Sequence, residues 1–161
     1  MKKILNILWL TSFALLVACG GKEEKKDSGV SYGKPAAVKK VETTPASQRI
    51  DLSNKGVGPI KTVSIGTEID KSMAEHGADV YNKMCTACHK IDKKFIGPAP
   101  KGILERRTPE WVMNMILDPE GMVNNDPLAK DLLIEFNGSP MANQGLSEED
   151  ARAVLEYFRT L

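Results

Sequence analysis

Cysteine, histidine and aromatic residues are scarce in this chain, and neither sign of charge is in excess. Three cysteines and two histidines among 161 residues do not make a disulfide scaffold, which pairs its cysteines, and fall short of what a four-ligand zinc site usually recruits. The 22 Lys and Arg are balanced by 21 Asp and Glu, for a formal charge of +1. That excludes a bulk nucleic-acid binder, because neutralising phosphates takes a clear basic excess. No nucleophile–base pair, phosphate-cradling glycine loop or paired carboxylate stands out, which excludes a hydrolase. Nor is there a long apolar run: residues 4–18 count only 15, whereas spanning a hydrocarbon core takes about 20. What remains, 42% apolar and 27% charged, suits about one domain, and the odd cysteine count calls for chemistry other than pairing.

The first residues supply part of that chemistry. Met1-Lys2-Lys3 followed by the apolar run 4–18 reads as a secretory signal. The run ends in Leu16-Val17-Ala18-Cys19, which resembles the bacterial lipobox. That resemblance implies that residues 1–18 are removed and that Cys19 is lipidated. It also implies an exported protein, lipid-anchored to the periplasmic side of a bacterial membrane, since several acyl chains exceed what stable anchoring requires. From residue 19 to 49 the composition turns to Lys, Glu, Ser, Thr, Pro and Gly, too polar to offset its ordering entropy, so this stretch is expected to be a flexible tether. Residues 50–69, with Val57, Ile60, Val63 and Ile65 among glycines and Pro59, are expected to lie as an extended arm along a domain at 70–161.

The other two cysteines fall in Cys85-Thr86-Ala87-Cys88-His89, the signature of c-type haem attachment. Two thiols three positions apart on a helical turn each form a thioether with one vinyl group of the same porphyrin, and the adjacent His89 reaches the iron from the proximal side. Covalent capture suits an exported protein. A thioredoxin-like site would need strands around the motif, yet the downstream signals are helical. A zinc site from Cys85, Cys88, His89 and His76 would crowd three ligands onto one turn. One covalently bound haem c is therefore the expected cofactor.

The surroundings are all-helical. Met73, Gly77, Val80, Tyr81 and Met84 fall on one helical face before the motif. A last helix starts at Ser147 with Asp150 three positions on and carries Ala151, Val154, Leu155, Phe158 and Leu161 as a stripe. Thr108-Pro109 and Asp126-Pro127 each place a capping residue before a proline, which predicts helices over 109–117 and 127–136. Residues from about 70 to 161 thus resemble a class I, mitochondrial-type cytochrome c, in a lipoprotein-anchored bacterial form. The resemblance implies the small all-α cytochrome c fold, with the first and last helices crossing at Gly77. It also implies a one-electron carrier and not an enzyme.

The sixth iron ligand decides whether the site is closed for electron transfer or open to small molecules. Met113, Met115, Met122 and Met141 are available. Met113 and Met115 lie on a predicted helix, where Met115 fits core packing, while Met122, expected in a loop after Pro119-Glu120-Gly121, is the second candidate for the ligand. The family places its Pro-Met ligand in the loop before the last helix, which implies Met141, in Asn137-Gly138-Ser139-Pro140-Met141, as the axial partner of His89. Ile96-Gly97-Pro98 resembles the family's turn, whose proline carbonyl accepts the proximal histidine's N–H and so implies that role for Pro98. The next residues, Ala99-Pro100, depart from the family's usual leucine. Trp111 is a candidate donor to a haem propionate or an ordinary core indole, and His76 is expected at the surface.

Charge is unevenly spread along the domain. Residues 83–107 hold seven basic and two acidic residues, and residues 108–161 hold three basic and ten acidic. Such a dipole would orient the domain toward an acidic redox partner. The expected partners are a quinol-oxidising complex and a terminal oxidase or reductase, the chain acting as a monomer. The Trp111 region and the Pro140-Met141 loop resemble small lipoprotein cytochromes that accompany reductases such as nitrous oxide reductase, which implies that partner more narrowly. A haem enzyme or gas sensor with an open distal site is the alternative.

Overall fold

The computed structural model describes residues 44–161, so the signal sequence, Cys19 and the tether up to residue 43 lie outside the described residues. Five α-helices run in the order α1 Lys71–Met84, α2 Pro109–Leu117, α3 Pro119–Asn125, α4 Pro127–Glu135 and α5 Glu148–Phe158, with a 3₁₀ turn at Ile103–Glu105 before α2. Among the described residues no strand forms, and the only bridge pairs Asp51 with Arg107. The architecture is the all-α one expected.

Each helix starts where a short polar side chain satisfies an otherwise orphaned backbone N–H. Asp70 caps α1 through the Met73 amide, Thr108 caps α2 through that of Trp111, and Ser147 caps α5 through that of Asp150. Asp118 and Asp126 each end one helix and cap the next, with Pro119 and Pro127 at the first helical position. Helix α3 is a correction to the sequence reading. Met122 lies not in a loop but in this helix, fully buried, because Asp118-Pro119 carries the same capping and proline signal as the two pairs that were recognised.

Helices α1 and α5 cross at Gly77. A β-carbon there would lie 1.9 Å from the Ala153 carbonyl oxygen, so only glycine permits the approach. Beside the crossing the Tyr81 ring sits 5.6 Å from that of Tyr157 and 5.7 Å from that of Phe158, edge-on to the latter. Burial pushes the Tyr81 phenol up to about 12, so it stays protonated at any ordinary pH. Exposed His76 donates through Nε2 to the Asp150 carboxylate at 2.8 Å, which ties the start of α5 to α1.

The arm is ordered and longer than expected. Residues 44–49, assigned to the tether on composition, pack on the helices instead. Ala46 is buried in the main apolar cluster with Trp111, Ala129, Leu132 and Phe136, Ser47 donates through its amide and hydroxyl to the Glu135 carboxylate at 2.8 and 2.6 Å, and Arg49 pairs with Asp131 at 2.6 Å. Farther along, the Asn114 side chain binds Ile60 through both its amide and its carbonyl, and also the carbonyl of Lys55. Buried Glu156 accepts from the Asp70 amide between Arg152 and Arg159. Side chains of the helices thus supply the partners that an extended backbone lacks. That is why a segment with no regular structure of its own stays in place.

Candidate functional site

The Cys85–His89 stretch begins where α1 ends. Cys85 is the C-cap of α1, and the amides of Cys88 and His89 both turn back to its carbonyl, at 3.1 and 2.9 Å. One tight turn therefore carries both thiols and the imidazole. Burial, and then the neighbouring Cys88, push the Cys85 thiol up, while Cys88 is exposed.

His89 is braced rather than free. Its Nδ1 lies 2.8 Å from the carbonyl oxygen of Pro98. A carbonyl only accepts, so Nδ1 carries the proton and donates, leaving the Nε2 lone pair to face outward as a metal ligand needs. Gly97 makes room for this ring: a β-carbon there would lie 2.5 to 3.0 Å from three of its atoms. The Gly97 amide in turn bonds the Cys88 carbonyl at 2.9 Å, which closes the loop on the motif.

Cys88 and His89 open on one shared cleft. Its walls are mainly apolar, from α2, α4 and the 3₁₀ turn. Pro98 from the turn after the motif and Pro140 and Met141 from the loop before α5 also line it. Of the four candidate methionines, Met141 and Met115 line the cleft. Met113 is buried in the core outside that lining, and Met122 packs its sulfur under Gly56 and accepts the Val57 amide at 3.1 Å.

Two cations stand out at the cleft that the sequence shows only as members of a charge run. Arg106 and Arg107 both line the cleft, and Arg107 is only 1% exposed. The Arg107 guanidinium donates to the carbonyls of Arg49, of Arg106 at 2.8 Å and of Ala46 at 2.6 Å, but among the described residues no carboxylate oxygen lies within 4.0 Å of it or of Arg106. Burial, and then the neighbouring Arg106, push Arg107 below the usual arginine range. The Nε of each is buried with no partner. A buried, unpaired cation is costly, so the cleft suits a flat apolar group bearing anionic edges, and a haem with its two propionates meets that description. Trp111 proves to be the core indole of the two alternatives the sequence leaves, 3% exposed with its N–H given to Asp126 at 3.2 Å.

The zinc alternative finds no support in the geometry. His76 is occupied with Asp150, and among the described residues no group of three or more His, Cys, Asp or Glu side chains is placed to hold a metal ion. The basic segment also needs correction, because Arg107 is internal. The exposed positive charge near the motif comes from lysines, among them Lys93 and Lys94.

Comparison with known proteins adds an independent observation. The family model described as cytochrome c matches residues 74–161. The solved cytochrome c of Rhodothermus marinus is 42% identical over 72% of this chain and 92% of its own, with a TM-score of 0.63. An engineered form of that protein is 41% identical over 72% and 93%, with a TM-score of 0.62. The same engineered protein bound to a carbene intermediate gives a TM-score of 0.60. The 72% is a larger share of the chain than residues 74–161 make up, so the similarity to these structures extends into the segment before α1. No curated protein matches the chain.

Proposed function

The chain belongs to the cytochrome c family, and from that premise we propose that it is a membrane-tethered, monomeric electron carrier in which His89 and Met141 are the axial ligands of a haem held by Cys85 and Cys88. As a c-type cytochrome it carries covalent haem c on the Cys85–His89 motif, and the haem supplies a one-electron ferric–ferrous couple. The chain's residues do the rest. Cys85 and Cys88 hold the group, Pro98 fixes the orientation of the His89 ring, and the apolar wall keeps water away. Arg106 and Arg107 offer the donors that propionates need.

One observation carries the axial assignment. The same cleft is lined by an imidazole whose Nδ1 is already committed to Pro98 and by Met141. A thioether there closes the coordination sphere and favours electron transfer over ligand chemistry. The test is a visible spectrum of the protein matured with haem-attachment machinery, in both redox states and with carbon monoxide. A Soret band that carbon monoxide leaves unshifted in the reduced protein is the expected result. A shift would indicate an open site, hence a haem enzyme or gas sensor, and the absence of the band would end the haem reading.

Anchoring rests on Cys19 and the apolar run before it, with the domain on the periplasmic side of a bacterial membrane. Among the described residues no helix is long and apolar enough to cross one. Cys19→Ala is expected to release the protein from membranes on a salt wash, and retention would exclude a lipid anchor. The proposed partners are a quinol-oxidising complex as donor and a respiratory oxidase or reductase as acceptor, nitrous oxide reductase among them. The docking face is the group Lys83, Lys90, Lys93, Lys94 and Lys101, with exposed Phe95 beside Lys90. Electron transfer is expected to slow as salt screens this face, and a rate independent of ionic strength would refute it.

A further inference from the structure

Residues 44–49 reach the haem cleft itself. Ser47 lines it, and so does Arg107, whose terminal nitrogens donate to the carbonyls of Ala46 and Arg49. Ala46 is 2% exposed and sits in the cluster that forms the cleft wall. The segment is pinned from outside by Ser47 to Glu135 and by Arg49 to Asp131, both partners lying on α4. Phe136 and Leu132, which belong to the same stretch as Glu135, line the cleft. This strap thus covers one side of the site and holds the buried cation there, although the family model begins only at residue 74.

We propose that residues 44–49 are a working part of the haem site, a strap whose closure raises the reduction potential by keeping water from the haem and Arg107 in place. The proposal rests on the haem reading above. Oxidation adds one positive charge to the iron–porphyrin unit, and a dry, low-dielectric surround disfavours that charge. A closed strap therefore favours the reduced form, and opening it lets water stabilise the oxidised form and lowers the potential. Arg107 acts here as a positioning residue: its carbonyl contacts set the strap, and the strap in turn fixes the direction of its free Nε. The coupling is reciprocal by linkage, so reduction must tighten the strap by the factor by which closure favours reduction. A tenfold preference corresponds to about 59 mV for one electron.

Two perturbations that leave the net charge unchanged test this in the full-length, haem-loaded protein. Arg49→Ala with Glu135→Ala removes both pins to α4 while deleting one charge of each sign. Ala46→Gln forces the strap outward by placing a polar side chain in a buried position. Both are expected to lower the reduction potential. In the parent protein, hydrogen exchange at the amides of Ser47 and Asp51 is expected to be slower in the reduced state, by the factor that the potential difference gives. A lower Tm with a parental potential in both variants would reduce the strap to a structural brace and overturn the proposal, as would equal exchange rates in the two redox states. A parent protein without a Soret band would instead overturn the haem reading on which the strap rests.

Discussion

At the scale of single residues, the site depends on a few side chains whose alternatives are already used up. His89 has one ring nitrogen committed to Pro98, and Gly97 exists to let that ring lie against the chain. Met113 and Met122 are engaged in the core, whereas Met141 lines the cleft. Met141→Ala is expected to abolish the red sulfur-to-iron charge-transfer band of the ferric protein, to lower the potential and to admit carbon monoxide to the reduced form. An unchanged ferric spectrum would move the ligand to Met115, the other methionine of the cleft wall. The two cysteines, the histidine and the proline were legible because each belongs to a short contiguous pattern. Arg107 was not, since nothing in a run of basic residues says which one folds inward. Of the two readings of Trp111 the core indole holds, since it is 3% exposed and its N–H goes to Asp126, the carboxylate that caps α4.

At the scale of elements, repeated use of one local device explains most of the helices. Thr108-Pro109, Asp118-Pro119 and Asp126-Pro127 all begin helices, although Gly121 and two asparagines give α3 the composition of a loop. The α1–α5 crossing is the element contact most open to test. Gly77→Ala in an exposed helix would stabilise by about 1 kcal/mol through propensity. Here the new β-carbon meets the Ala153 carbonyl, so the sign is expected to reverse, with Gly77→Leu costing about 3 kcal/mol or more by overpacking. Thermal unfolding of the holoprotein reads both, and a Gly77→Ala variant more stable than the parent would contradict the crossing.

Across the whole molecule, carboxylates that cap or pair set the response to acid. The Met73 amide holds Asp70, and the His76 side chain holds Asp150, below the usual carboxylate range; the Asn54 amide does the same for Asp51. Burial pushes Glu156 up, but hydrogen bonds from Arg152 and the Asp70 amide hold it lower overall. A depressed native pKa gives stability that is fully present above the unfolded value, near 4, and is lost as pH falls through the native one. The Tm is therefore expected to stay level from pH 7 to about 5 and to drop below about 4. A Tm that rises on acidification would contradict these assignments. Two of these carboxylates, Asp150 and Glu156, tie α5 to α1 and its cap, so their protonation is expected to loosen that crossing.

The sequence by itself determined the haem motif, four of the five helices and the all-α class, because each rests on contacts among residues within a few positions of one another. It also carried the candidate export and lipid-anchor signals, which are contiguous patterns too. Only the tertiary structure decided where the arm begins, which arginine is buried and which methionines share a wall with His89. The first two outcomes depend on partners 50 or more residues away, such as Ser47 with Glu135 or Arg107 with Ala46. Composition marked residues 44–49 as tether because they contain little to bury. They are held instead by carbonyls and hydroxyls meeting donors and acceptors that other parts of the chain bring to them, and a polar backbone gives no sign of that until the fold has assembled its partners.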